Sequence, residues 1–193
     1  WRVVTGEQSG SYEGMHFLRG GITWSPDAQQ MAFAAKSGEQ DKLYVVDARS
    51  GELQREFALD MDGVFGPSWS PKGGRLSFVG VKGARSDLYI LDLDDEHLTR
   101  LTDDRFDEYS PSWAPDGKFI AFASDRNLDR SDDAMSLLYG NRDIFVVHAR
   151  TQGVRQITDH PSDDNSPSWS PEGDKLVFTS DRNGIYNLHI VGI

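Results

Sequence analysis

The apolar residues of this chain alternate over short runs and show no helical spacing. Phe119–Ala123 sets large against small apolar side chains, the pattern of a half-buried strand. Ile144–Val147 is continuously apolar, as a strand covered on both faces would be, and Val154–Thr158 alternates again. Ser110–Trp113 predicts a short strand ahead of them, joined to the next by Pro115-Asp116-Gly117. Proline fixes φ in such a turn and glycine accepts the left-handed conformation. Runs such as Leu43–Val46 are strand-sized, and none approaches the roughly 18 apolar residues that cross a bilayer.

The pattern recurs. Trp24-Ser25-Pro26-Asp27, Trp69-Ser70-Pro71-Lys72, Trp113-Ala114-Pro115-Asp116 and Trp169-Ser170-Pro171-Glu172 follow one another at spacings of 45, 44 and 56 residues. Nine residues after each tryptophan stands a phenylalanine: Phe33, Phe78, Phe122 and Phe178. Twenty residues after three of them stand Tyr44, Tyr89 and His189, and the third unit reaches Phe145 after 12 inserted residues. Ala28 occupies the turn position held elsewhere by Gly73, Gly117 and Gly173, so that turn is expected to be strained or of another type. A four-strand unit repeated every ~40–45 residues predicts an all-β propeller of four four-stranded antiparallel blades. The period-2 alternation excludes helical solenoids.

The string Ser110-Pro111-Ser112-Trp113-Ala114-Pro115-Asp116-Gly117-Lys118-Phe119-Ile120-Ala121-Phe122-Ala123-Ser124-Asp125-Arg126 resembles the WD-like repeat of TolB-type propellers. Ser166–Arg182 resembles it equally, whereas units one and two carry Ala35-Lys36 and Val81-Lys82 in place of Ser-Asp-Arg. Blades are expected near 22–59, 66–102, 110–158 and 166–193. Trp1–Thr5 matches Leu98–Thr102 and Val154–Thr158, so it is expected to complete the last blade. The ring is then closed with four blades, or is a segment of a larger one that more sequence or a second copy of the chain completes. The repeated Trp and Phe residues are expected to form the core between blades.

The resemblance implies a non-enzymatic scaffold with a protein partner in the cell envelope, periplasmic or extracellular. Similar propellers also precede the hydrolase domain of prolyl-oligopeptidase-like peptidases, and others are metal-dependent lyases or lactonases. The residues themselves show no Gly-x-Ser-x-Gly elbow, His-Glu-x-x-His or phosphate loop.

The formal charge of −11 argues against a nucleic-acid partner, which needs clustered lysine and arginine. Aspartate-rich turns account for the acidity, as would adaptation to high salt. With no cysteine, neither disulfides nor thiolate metal sites can hold the fold. The chain starts at Trp1 without a leader pattern, which implies a processed or trimmed N-terminus.

The loops between repeats are acidic. Asp107, Asp163 and Asp164 are candidate ligands for Ca²⁺, a cation held by 6–8 oxygens, beside the reading of solvated turn acids. The insertion offers a candidate partner-binding surface in Asp129, Asp132, Asp133, Met135, Leu137, Leu138 and Tyr139, or a flap folded on its own blade. In the Ser-Asp-Arg elements, each aspartate is expected to accept hydrogen bonds from its following turn and each arginine to pair with a blade neighbour.

Overall fold

The computed structural model describes residues 14–15, 21–126 and 141–193, and these contain strands and no helix. The chain divides into two compact units, Trp1–Arg100 and Leu101–Ile193, each with two sheets. All strand pairs are antiparallel.

In the first unit, β1 (Gly14–Met15) and β2 (Ile22–Trp24) lie along one edge of β3 (Gln30–Ser37), followed by β4 (Gln40–Asp47) and β5 (Leu53–Ala58). Two short pieces thus fill one strand's place, and Gly14–Met15 stands ahead of the expected start at residue 22. The second sheet runs β6 (Gly63–Trp69), β7 (Arg75–Lys82), β8 (Arg85–Asp92), β9 (Leu98–Arg100). Ala32, Ala34, Leu43 and Val45 of the first sheet share a core with Val64, Trp69, Leu76 and Phe78 of the second.

In the second unit, β10 (Glu108–Trp113), β11 (Phe119–Ser124), β12 (Asp143–His148) and β13 (Val154–Gln156) form one sheet. The other contains β14 (Asp164–Trp169), β15 (Lys175–Ser180) and β16 (Asn187–Gly192). Ala121, Ala123, Ile144 and Val146 pack with Leu176 and Phe178 between them. Trp1–Thr5, expected to complete this last sheet, lies outside the described residues.

The spacing of the repeat has a direct physical cause. Phe33 faces Tyr44, Phe78 faces Tyr89, Phe122 faces Phe145 and Phe178 faces His189 across paired strands. Their ring centroids stand 5.6, 5.7, 5.8 and 5.9 Å apart. Such cross-strand pairs fix register, so the extra residues of the third unit fall in the β11–β12 connection and leave the ladder intact.

The tryptophan series divides. Trp69 and Trp113 are buried and Trp169 is half-buried, but Trp24 is 56% exposed, which corrects the expectation that all four are core. Ala28 adopts the same turn as its glycine counterparts, with φ of 56° against 66° to 74°, and its N–H bonds Ser25 O as Gly117 N–H bonds Ala114 O. A side chain is therefore held in the left-handed region. The first strand of three sheets carries a β-bulge, at Phe65–Ser68, Tyr109–Ser112 and Asn165–Ser168. Gly66, Ser110 and Ser166 take positive φ there, each just ahead of a proline.

Candidate functional site

The candidate site is the end of the second unit where β11, β12, β14 and β15 meet their loops. Asp125 Oδ1 accepts a hydrogen bond from Asp107 N at 2.8 Å, and Asp181 Oδ1 accepts one from Asp163 N at 2.9 Å. Each aspartate side chain thus ties down the start of the first strand in its own sheet, and Asp181 O also accepts the Gly184 N–H of the turn that follows at 2.7 Å. Arg126 Nη2 donates to Glu108 at 2.7 Å and Asp104 at 2.6 Å, and Arg182 Nη2 donates to both oxygens of Asp164. These arginines therefore pair with acids at, or just ahead of, the first strand of their own sheets. Glu108 and Asp164 are fully buried, and the guanidinium groups lie over Phe122, Phe145 and Phe178. A carboxylate removed from water needs such a partner. In the first unit Val64 stands where Glu108 and Asp164 stand, opposite Gly80, and no arginine follows at Lys82. The acid and the arginine are present together or absent together.

Arg142 binds Asp163 with two bonds of 2.7 Å, from Nε to Oδ1 and from Nη2 to Oδ2. Tyr186 Oη adds a bond of 2.9 Å to Oδ2, as does Asn165 Nδ2. The Arg142 guanidinium also lies 4.8 Å from the centre of the Tyr109 ring. Burial pushes the Asp163 carboxyl up, and the bonds from Arg142 and Tyr186 outweigh it and hold the group below the usual carboxylate range. The same bond pushes the Tyr186 phenol up. Burial raises Asp125, against the Asp107 N–H bond that lowers it. Asp143 is raised to about 6, by burial first, against bonds from His160 N and Thr158. The charges of Asp164 and Asp159 add to the rise.

The sequence-derived ligand candidates stand as follows. Asp107 gives its N–H to Asp125 and receives the Tyr109 hydroxyl at 3.4 Å, while Asp163 and Asp164 turn to two different arginines. Among the described residues no group of three or more His, Asp or Glu side chains is placed to hold a metal ion. Asp129, Asp132, Asp133, Met135, Leu137, Leu138 and Tyr139 lie outside the described residues. Arg142, Asp143 and Tyr186 were not singled out by sequence. The joint presence of acid and arginine in units three and four was the available signal for Glu108, and nothing in the repeat marked Arg142.

Residues 22–131 match the TolB beta propeller domain family. The chain belongs to that family. Among curated relatives, the Tol-Pal system protein TolB of Nitratidesulfovibrio vulgaris is 30% identical over 45% of this chain and 27% of its own length. The uncharacterized peptidase YuxL of Bacillus subtilis is 30% identical over 36% of the chain and 9% of itself. Dipeptidyl-peptidase 5 of Porphyromonas gingivalis is 31% identical over 48% and 13%. The chain thus spans about a quarter or less of the relatives it matches. Among solved structures, TolB of Acinetobacter baumannii superposes with a TM-score of 0.71 at 24% identity, over 90% of this chain and 40% of that one. The putative TolB of Agrobacterium tumefaciens gives 0.75 at 24% identity, over 90% and 61%. A prolyl endopeptidase gives 0.64 at 15% identity, over 99% and 29%. These likenesses fix a propeller fold built from TolB-type repeats.

Proposed function

We propose that this TolB-type chain is a non-catalytic binding scaffold that presents the loop end of its second unit to a protein partner in the cell envelope. The family match over residues 22–131 carries the reading, supported by the TolB relatives and fold neighbours. The loop end suits the role physically. Arg142, Tyr109 and Tyr186 gather around Asp163, and arginine and tyrosine are the side chains that dominate protein contacts. The hydrogen bonds of Arg142 and Tyr186 to Asp163 hold those two side chains in place before any partner arrives, which lowers the ordering cost of binding.

A second reading is that the chain is the propeller section of a longer peptidase. The peptidase relatives YuxL and dipeptidyl-peptidase 5 and the prolyl endopeptidase fold neighbour favour it. The complete polypeptide that carries this chain separates the two. Under the scaffold reading it resists a serine-reactive phosphonate probe and retains an envelope protein whose binding falls on Tyr186→Ala. Covalent labelling by the probe with cleavage of short prolyl or dipeptidyl substrates would establish the second reading.

A further inference from the structure

We propose that Asp143 and Gln156 form a proton-operated switch at the base of the segment joining β13 to β14. The first unit supplies the comparison. Asp87 on β8 receives the guanidinium of Arg100 on β9 at 2.7 Å, and Tyr89, two residues on, pairs directly with Arg100. In the second unit Asp143, Phe145 and Gln156 hold the same places in the ladder, so a neutral amide replaces the cation. Asp143 is 9% exposed, and its donors among the described residues are neutral. Gln156 Nε2 reaches Oδ2 at 3.2 Å, while Thr158 Oγ1 and His160 N reach Oδ1 at 3.1 and 3.2 Å. Among the described residues no lysine or arginine forms an ion pair with it.

The charged groups around Asp143 are accounted for. Arg142, its chain neighbour, is bound by Asp163, and Arg182, at the end of β15, is bound by Asp164 on β14. Asp159, in the segment after β13, adds negative charge, and His160 contributes its backbone N–H. The site therefore disfavours the anion.

Glutamine is suited to both states of the acid. Its amide N–H donates to the carboxylate, and after rotation of the amide its carbonyl accepts from a carboxylic acid, which arginine cannot do. When a solvent proton adds to Oδ2, the O–H donates to Gln156 Oε1, and Oδ1 keeps the bonds from Thr158 and His160. The segment 157–163 is then held without an uncompensated buried charge. For an acid raised in the folded state the sign is fixed: stability increases as pH falls through the folded value, toward the unfolded value near 4.

The test is a carbon-13 carboxyl titration of the 193-residue chain, with Asp143 assigned by loss of its signal in Asp143→Asn. The expected result is a midpoint near 6 for Asp143, dropping by about one pH unit or more in Gln156→Arg as a cation arrives. Denaturant midpoints read the consequence: wild type gains stability from pH 7.5 to 5.5 relative to Asp143→Asn. A wild-type midpoint near the ordinary carboxylate value, or one that Gln156→Arg leaves unmoved, overturns the proposal. Should Gln156→Arg not fold, the wild-type titration decides alone.

Discussion

The tryptophans that share one place in the repeat differ in what surrounds them, and that difference sets what each contributes. Trp113→Ala removes a buried ring and is expected to cost roughly 3–5 kcal/mol. Trp24→Ala removes a largely exposed one and is expected to cost less than about 1 kcal/mol. Denaturant midpoints of the two variants give the comparison. Ala28 offers the opposite sign. Its φ of 56° strains the turn, so Ala28→Gly is expected to raise stability by up to about 1 kcal/mol, the relief exceeding the flexibility added to the unfolded chain. Equal or lower thermal stability of that variant would count against strain at this turn. Sequence marked the oddity of Ala28 because three glycines stood at its place. It could not foresee Trp24, because the repeat fixes where a ring lies in its sheet and not what covers it.

At the level of the sheets, strands and turns were legible because alternation, Pro-Asp-Gly and the aromatic spacing all state the same register. The bulges were not. Ser110-Pro111 and Ser166-Pro167 read as ordinary strand entries, and only the backbone reveals positive φ at the serines. The ion pairs were half legible: Arg126 and Arg182 stood out, but their acids lie eighteen residues upstream across the sheet. The first unit predicts how these pairs behave on replacement. Arg182→Leu strands a fully buried Asp164 and is expected to cost about 3–5 kcal/mol. Adding Asp164→Val copies the arrangement around Val64 and is expected to recover most of that loss. Unfolding free energies of the two singles and the double form the cycle that measures the coupling.

For the molecule as a whole, two carboxylates pull stability in opposite directions with pH. Asp163 is held below its usual range, so its contribution is present above about pH 4 and is lost as pH falls further. Asp143 is raised to about 6, so its contribution is lost progressively as pH rises from about 4 to 6 and stays lost above that. Stability is therefore expected to peak near pH 4, and Asp143→Asn is expected to remove the fall between about pH 4 and 6. Chemical unfolding across about pH 2 to 8 reads both limbs, and a flat profile from about 4 to 8 in wild type would contradict the assignment. The architecture also bears on how such a chain changes over generations. Every sheet is wound from strands consecutive along the polypeptide, so copying one stretch of about 45 codons adds a finished sheet without cutting any ladder. The residues between β11 and β12 show the smaller version of the same tolerance, since a hairpin tip lengthens while the rings of Phe122 and Phe145 still meet. Drift can then act on each copy separately: one duplicate keeps its arginine and acid, another exchanges both for valine and lysine, and a third trades a guanidinium for an amide.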